Sequence, residues 1–349
     1  LIRALSERFP DRELLVTTVT PTGAERVRRL FGDKVHHAYL PFECPHAVNR
    51  FFEKVRPEVA LVMETEIWPN LYRGCGVRKI PLILVSARIS PKSVPGYRKL
   101  LPLIKETLSH GIIIASQSQD DADRFLSLGA SPDRTFVMGN IKFDIRHDED
   151  TLARGREERA RLFGGRPVWV AASTHDGEEE LVLDVHERVR ARHDDALLVL
   201  IPRHPERFGL VRELVRKRGL SVVSRTQGKP AGDAAVFLGD TMGEVPVFYA
   251  ASDVAFVAGS LVPIGGHNLL EPAALGVPVI TGPHNFNAQD IADLFMAMGA
   301  CRRVETPEEL ADVISDLLSD PDEAARLGRA GQQVLEDNRG ALERLLVLM

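Results

Sequence analysis

Short apolar runs alternate with amphipathic segments along nearly the whole chain. An apolar run of strand length predicts a strand buried on both faces, and a following segment with apolar residues at helical spacing predicts a helix that covers it. In the first half the predicted strands are 14–18, 35–40, 59–63, 82–86, 112–116 and 135–138. In the second half they are 168–172, 197–201, 221–223, 235–238, 254–257, 277–280 and 301–304. The alternation predicts α/β architecture with two doubly wound parallel sheets in tandem.

The segment 146–166 separates the two series of strands. It is charged, contains glycine and has no strand pattern, which is typical of a connection between domains. A chain of 349 residues is long enough for two domains with a core each. We therefore predict a first domain over 1–147 and a second over 148–349.

Composition narrows the class of protein. An apolar fraction of 44% with 27% charged residues is typical of a soluble globular protein, and the net charge of −5 argues against general nucleic-acid binding. Cys44, Cys75 and Cys301 are far apart and lack metal-ligand spacing, so they are interpreted as reduced thiols. No apolar run is long enough to cross a bilayer. The chain starts at Leu1 as if inside a helix, which predicts a preceding N-terminal piece.

The most informative segment is 259–272, which reads GSLVPIGGHNLLEP and lies between the strand 254–257 and a predicted helix over 268–275. A glycine-rich loop that opens a helix directs backbone N–H groups and a positive dipole end at one place, so it predicts an anion site. Glu271 would lie one turn into the helix, where its carboxylate can accept ribose hydroxyls. This pattern favours a nucleotide-sugar site. The alternative is that the glycines serve only tight packing of strand against helix.

Polar residues follow the strands of the first half, at the sheet edge where open parallel sheets bind ligands. Glu64 follows the strand 59–63 and is placed to face a ligand, unless it only pairs with a nearby arginine. Glu66 is interpreted as an acid at the start of the next helix. Lys142 follows the strand 135–138, where it is either a contact for a leaving phosphate or substrate carboxylate, or a solvated surface lysine.

Strand ends of the second half carry further candidates. Arg203 could hold the phosphate of a donor, whereas Arg207 is interpreted as part of a solvated or salt-bridged helix face. The stretch 173–176 contains Ser, Thr, His and Asp, but no nucleophile elbow accompanies it, so a loop around the substrate is favoured over a hydrolase triad. The acids 178–180 would then belong to the first turn of a helix. No metal-ligand pattern is present, and no metal is predicted.

A basic segment precedes the apolar run 100–108 in the first half. Its cations are Arg88, Lys92, Arg98 and Lys99. This pattern predicts a patch for an anionic, amphipathic acceptor at a membrane surface. A solvated cationic face is the alternative.

Seven strings, in this order along the chain, resemble the family of 3-deoxy-D-manno-octulosonic acid (Kdo) transferases of lipopolysaccharide synthesis. They are TTVTPTG at 17–23, METEIWPN at 63–70, GNIKFD at 139–144, ASTHDGE at 172–178, PRHPER at 202–207, GDTMGE at 239–244 and the segment 259–271. The resemblance implies a GT-B glycosyltransferase, in which two Rossmann-like domains face a central cleft and bind acceptor and donor, respectively. It also implies inverting transfer of Kdo from CMP-Kdo to the lipid A precursor lipid IVA. No metal or other cofactor is expected, and the implied place is the cytoplasmic face of the inner membrane.

Site residues follow from the same resemblance, motif by motif. Glu64 and Lys142 would stabilise the transition state. The implied contacts to CMP are Pro202, Arg203, Met242, Gly243, Glu244, Asn268, Leu269, Leu270 and Glu271. The general base of the family is a glutamate that would precede Leu1, as would the membrane anchor, so this chain is expected to bind donor but to transfer sugar poorly or not at all. The alternatives are another GT-B enzyme, such as a UDP-sugar transferase or a sugar-nucleotide epimerase, and a non-catalytic nucleotide-binding protein.

Overall fold

The computed structural model describes residues 1–145 and 149–349. The chain forms two compact units, one made of Leu1–Asp144 with Asn338–Met349 and the other of Ile145–Asp337. The predicted boundary between residues 147 and 148 lies outside the described residues. The C-terminal segment Asn338–Met349, predicted to belong to the second domain, packs with the first unit.

All of the predicted strands are confirmed, with ends that differ by at most two residues. The first unit contains β1 (Leu15–Thr18), β2 (His36–Tyr39), β3 (Ala60–Met63), β4 (Leu82–Ala87), β5 (Ile113–Ser116) and β6 (Thr135–Val137). The second contains β7 (Val168–Thr174), β8 (Leu197–Pro202), β9 (Val222–Ser224), β10 (Val236–Leu238), β11 (Val254–Val257), β12 (Val279–Thr281) and β13 (Arg302–Arg303).

Helices follow most of the strands. In chain order they are α1 (Ile2–Arg8), α2 (Pro21–Phe31), α3 (Pro45–Val55), α4 (Pro69–Arg78), α5 (Val94–Lys99), α6 (Leu101–Leu108), α7 (Gln119–Ser127), α8 (Glu149–Glu158), α9 (Glu178–Arg192), α10 (Phe208–Lys217), α11 (Val245–Ala250), α12 (Leu270–Ala274), α13 (Gln289–Ala297), α14 (Pro307–Ser319), α15 (Pro321–Asn338) and α16 (Ala341–Leu348). Within the described residues, none of these helices combines the length and the apolar character that a membrane span requires.

The second unit is built on a seven-stranded parallel sheet with the strand order β13-β12-β11-β7-β8-β10-β9. Helices cover both faces: Val182 of α9 and Ile314 of α14 pack with Trp169 on one face, and Phe248 of α11 packs with Val170 on the other. The chain leaves β7 towards β8 on one side and later returns to place β11 on the other side. The junction of β7 and β11 is therefore the topological switch point, where open α/β sheets bind their ligands.

The parallel strands of the first unit form two ladders, β1-β2 and β3-β4-β5-β6, rather than one doubly wound sheet. β4 is buried at every position, as expected for a central strand covered on both faces. The last helix, α16, closes this unit: both oxygens of Asp144 accept 2.7 Å hydrogen bonds, from the backbone N–H groups of Gly340 and Leu342. Leu345 of α16 is buried against Val85 of β4.

Candidate functional site

The structure brings together the two predicted catalytic residues of the first unit. Glu64 directly follows β3, and its backbone N–H donates a 2.8 Å hydrogen bond to the carbonyl oxygen of Val85 in β4. Glu64 has a φ of 57°, a left-handed conformation that is uncommon for a residue with a side chain. Its Oε1 lies 2.7 Å from Nζ of Lys142, and 38% of the Glu64 side chain and 45% of the Lys142 side chain are exposed. The carboxylate and the ammonium thus form an accessible ion pair at the sheet edge.

Side-chain amides hold the backbone of Lys142 at this edge. Oδ1 of Asn140 accepts a 3.0 Å hydrogen bond from the backbone N–H of Lys142, and Nδ2 of Asn140 donates at 3.1 Å to Oε1 of Gln117. Nε2 of Gln117 in turn donates at 3.0 Å to the carbonyl oxygen of Ser86. Ser86 also has a left-handed backbone, with a φ of 52°, at the register shift of β4. These hydrogen bonds therefore connect the carboxyl ends of β4, β5 and β6 at the edge that carries the ion pair.

Sequence reasoning missed Gln117. The available signal was its position directly after the strand β5, because other polar residues of this edge also follow strands.

The prediction for Glu66 also needs correction. The helix-start contact of α4 comes from Glu43, whose Oε1 accepts from the backbone N–H of Asn70, whereas Glu66 accepts a 2.9 Å hydrogen bond from Nε1 of Trp68.

The glycine-rich loop of the second unit is arranged around an internal anion. Glu178 is fully buried, and its carboxylate accepts hydrogen bonds from the backbone N–H groups of Gly259 at 2.7 Å, Ser260 at 3.1 Å and Leu261 at 3.1 Å. A further bond comes from the N–H of His175 at 3.3 Å. Burial raises the pKa of Glu178, and these four bonds act in the opposite direction. The first N–H groups of the glycine-rich loop thus bind a carboxylate of the protein itself, whereas the predicted anion site lies where the loop meets the helix.

The helix after this loop is also shorter than predicted. α12 spans Leu270–Ala274, whereas the sequence predicts a helix over 268–275, and Gly265 and Gly266 donate their N–H groups to the carbonyl oxygen of Gly259 at 3.1 and 2.8 Å. Both glycines have positive φ, and a side chain on Gly266 would meet Asn285 at 2.7 Å. Close approach to the segment after β12 therefore requires glycine at these positions, which is a different contact from the strand-to-helix packing that the sequence left open.

The predicted CMP contacts differ in how accessible they are. Asn268 is exposed and Glu271 is half-buried, and Nδ2 of Asn268 donates to Oε1 of Glu271 at 3.3 Å. Leu269 and Leu270 are buried in the core, as is Pro202 at the end of β8. Arg203 is half-buried, and Met242 is 51% exposed. Pro202 and Arg203 lie at the end of β8, Met242 and Gly243 follow β10, and the residues 268–271 belong to the loop and helix after β11.

Among the predicted CMP contacts, Glu244 has a carboxylate that is bound to other side chains of the protein. Its Oε1 lies 2.8 Å from Arg225, its Oε2 accepts a 2.5 Å hydrogen bond from the hydroxyl of Thr241, and Arg225 also pairs with Glu158. The hydrogen bond from Arg225 lowers the pKa of Glu244. Glu244 thus ties down the turn that carries Met242 and Gly243. Arg207 is likewise salt-bridged, as predicted, to the buried Glu179 and to Asp176.

The predicted acceptor patch lies on and before α5. Arg88 is half-buried, whereas Lys92, Arg98 and Lys99 are exposed. Of the apolar run that follows, Leu100 is 57% and Leu103 is 43% exposed, whereas Ile104 and Leu108 are buried in the core. Cationic and apolar side chains are thus both available to a partner on this part of the first unit.

Comparison with known proteins assigns both halves. Residues 1–145 match the family model described as 3-deoxy-D-manno-octulosonic-acid transferase, and residues 180–334 match that of glycosyl transferases group 1. A 3-deoxy-D-manno-octulosonic acid transferase of Haemophilus influenzae is 40% identical over 351 residues, which cover 100% of this chain and 82% of that protein. One of Bordetella pertussis is 35% identical, over 99% of this chain and 82% of that protein.

Solved structures agree with this assignment. The C-terminal CMP-Kdo binding domain of WaaA from Acinetobacter baumannii is 32% identical and has a TM-score of 0.51, over 54% of this chain and 99% of that domain. Anabaena HepE in complex with UDP has a TM-score of 0.61 at 15% identity, over 98% of this chain and 92% of that protein, a likeness of fold alone. The predicted GT-B fold is confirmed. The chain belongs to the 3-deoxy-D-manno-octulosonic acid transferase family of glycosyltransferases.

Proposed function

We propose that this protein transfers Kdo from CMP-Kdo to a lipid A precursor such as lipid IVA, with inversion of the anomeric centre, at the cytoplasmic face of the inner membrane. The observation that carries the donor assignment is the likeness of the second unit to a solved domain described as CMP-Kdo binding, at 32% identity over 99% of that domain. The acceptor and the location rest on family membership and on the exposed basic and apolar surface of α5.

The donor site that we propose lies at the carboxyl edge of the seven-stranded sheet, near the switch point of β7 and β11. Arg203 offers a guanidinium for the single phosphate of CMP, and Asn268 and Glu271 offer polar groups for the ribose. Glu244 contributes by holding the turn of Met242 and Gly243, because its own carboxylate is bound to Arg225. Pro202, Leu269 and Leu270 shape the site from the core.

Replacing Glu271 by alanine is expected to weaken CMP binding by about 1–3 kcal/mol, since polar groups of the ribose would lose their partner. Calorimetric titration with CMP measures the effect, and Glu213→Ala on an exposed face of α10 is the matched control. Equal CMP affinity in the Glu271→Ala variant and in the control would contradict the ribose assignment. A comparison of CMP with UDP addresses the runner-up function, because a UDP-sugar enzyme would bind UDP more tightly.

The reaction needs two kinds of assistance from the protein: a base that takes the proton of the acceptor hydroxyl, and positive charge that stabilises the departing CMP. We propose that Lys142 supplies positive charge in the transition state and that Glu64 fixes the position of its ammonium group through the 2.7 Å ion pair. Asn140 and Gln117 are positioning residues, because they contact the backbone at Lys142 and Ser86.

We further propose that transfer requires no divalent metal. Among residues 1–145 and 149–349, no group of three His, Cys, Asp or Glu side chains is arranged to hold a metal ion. Transfer by the full-length protein is expected to persist after treatment with a chelator. Complete loss of activity that Mg²⁺ restores would overturn this part of the proposal.

Reversing the charge of Arg98 and Lys99 to glutamate is expected to raise the acceptor KM and to reduce binding to anionic vesicles. Each cation near an anionic surface contributes about 1 kcal/mol, weakened by salt. CMP affinity should stay unchanged, since the donor residues belong to the other unit. The control reverses Lys34 and Lys54, which are also exposed on the first unit. If acceptor kinetics and vesicle binding match those of the control, the patch on α5 is only a solvated face.

A further inference from the structure

Three histidines lie at the carboxyl edge of the three adjacent strands β11, β7 and β8. His175 directly follows β7, His204 follows β8, and His267 belongs to the glycine-rich loop after β11. The ring centroids of His175 and His204 are 5.4 Å apart in an edge-to-face arrangement. None of the roles proposed above uses these imidazoles, although His175 and His267 lie at the switch point between β7 and β11.

His175 and His267 form a head-to-head pair. Their Nε2 atoms are 2.8 Å apart, their ring planes differ by 5°, and their ring centroids are 5.1 Å apart. Two nitrogens at this distance need one proton between them, so one ring donates Nε2–H and the other accepts. A pair with one such proton can be neutral or can carry one positive charge, but it cannot carry two, because both Nε2 atoms would then be donors.

Protonation changes the hydrogen-bonding character of the Nδ1 atoms, which are not part of the Nε2···Nε2 contact. In the neutral pair, the ring that donates Nε2–H has a bare Nδ1, which repels an anion. One added proton on that Nδ1 leaves the Nε2–H···Nε2 bond intact and gives both rings an outward N–H donor. Neither Nδ1 has a hydrogen-bond partner among the residues that the structure describes.

The charges around the pair are mostly cationic. From the loop after β8, Arg203 and His204 are close enough to lower the pKa of both rings, and Arg207 lowers that of His175. Within the described residues, the guanidinium of Arg203 makes no side-chain hydrogen bond or ion pair. The carboxylates on the β7 side are engaged: Glu178 by four backbone N–H groups, and Asp176 and Glu179 by Arg207.

These surroundings favour the neutral pair when no anion is bound. Burial, followed by the charges of His175 and Arg203, lowers the pKa of His267 to about 4. Burial and the charges of His204 and Arg203 also lower the pKa of His175. The negative charge of an oxyanion beside the pair would offset the neighbouring positive charges and so stabilise the protonated form of the pair. Protonation would also give the pair one more N–H group, which can donate a hydrogen bond to that anion.

We propose that His175, His267 and Arg203 form a proton-linked subsite for an oxyanion, a phosphate or a carboxylate, and that the histidine pair takes up one proton from solvent when the anion binds. The inference rests on the proposed function in one respect, since CMP-Kdo carries both kinds of group and is the natural source of the anion. The subsite itself is a property of the described side chains and can be tested without nucleotide.

The test is a pH titration of the histidine Hε1 resonances by NMR, with the full chain in chloride, in sulfate at matched ionic strength, with CMP and with free Kdo. Sulfate does not titrate in this range and reports the subsite alone. CMP and Kdo distinguish the phosphate from the carboxylate as its source. We expect sulfate and at least one of the two ligands to raise the apparent pKa of the pair by about one unit.

Two variants make the outcome specific. His267→Gln removes the titrating pair and should abolish the shift, and Arg203→Gln should weaken sulfate binding while the pair remains. His193→Gln, in which the altered ring lies at the end of α9 and contacts Ser315, should behave like the original protein. The inference is overturned if sulfate leaves the pKa of the pair unchanged, or if the shift persists in His267→Gln. If CMP fails to bind while sulfate still shifts the pair, the donor assignment fails and the subsite stands.

Discussion

Replacing Lys142 by alanine is expected to lower kcat for Kdo transfer by about 10²–10³-fold, the effect of removing one preorganised group that stabilises transition-state charge. The measurement is transfer from CMP-Kdo to a lipid A precursor by the full-length protein. CMP affinity should be unchanged, because the proposed CMP contacts belong to the second unit. The free energy of unfolding should change by less than about 1 kcal/mol, because the ion pair with Glu64 is exposed to solvent.

The controls separate charge from structure. Lys54→Ala on the exposed face of α3 removes a lysine far from the site in sequence and should retain full activity. Lys142→Arg retains the charge but not the geometry of a compact ammonium, so its activity should lie between those of the alanine variant and the original protein. A Lys142→Ala variant with unchanged kcat would remove the transition-state role and leave Lys142 as the surface lysine that the sequence alone also allowed.

The strands were predictable because their pattern is local. A run such as 254–257 is apolar at every position, and a strand covered on both faces buries all of these residues. Glu64 and Lys142 were each predicted at the carboxyl edge of the first half, but their ion pair was not predicted. The strands β3 and β6 are the outer strands of the order β3-β4-β5-β6, and Lys142 lies in the segment beyond the end of β6 at Val137. The family resemblance then gave these two positions a chemical role, which the kinetic experiment on Lys142 tests.

Long-range partners were not predictable in this way. Nothing near Glu178 in the sequence shows that its carboxylate accepts N–H groups from 259–261, more than eighty residues away. The C-terminal helix is a similar case. Its place in the first unit depends on Asp144, which accepts hydrogen bonds from backbone N–H groups almost two hundred positions later in the chain. A helical pattern specifies the element but not the sheet that it covers.

The glycine-rich loop does bind an anion, but this anion is the carboxylate of Glu178. Successive backbone N–H groups form an anion-binding concavity, and those of Gly259, Ser260 and Leu261 form one around the carboxylate of Glu178. The sequence does not reveal that the protein supplies the anion. The ligand is therefore expected to meet side chains of this edge, such as Arg203 and Asn268, rather than the N–H groups of Gly259 to Leu261.

Replacing Glu178 by alanine is accordingly expected to have the largest effect on stability, a loss of about 3–5 kcal/mol in the free energy of unfolding of the second unit. Four backbone N–H groups would lose their acceptor, and each buried group left without a partner costs about 1–3 kcal/mol, partly recovered where water enters. Glu178→Gln retains one acceptor oxygen but directs an amide N–H₂ towards donors, so its loss should be smaller than that of alanine. Denaturant unfolding measures both variants against Glu213→Ala, an exposed salt-bridge residue whose removal should cost less than about 1 kcal/mol. If Glu178→Ala unfolds at the same denaturant concentration as this control, the carboxylate does not organise the loop, and the N–H groups of Gly259 to Leu261 return as candidates for the phosphate of the donor.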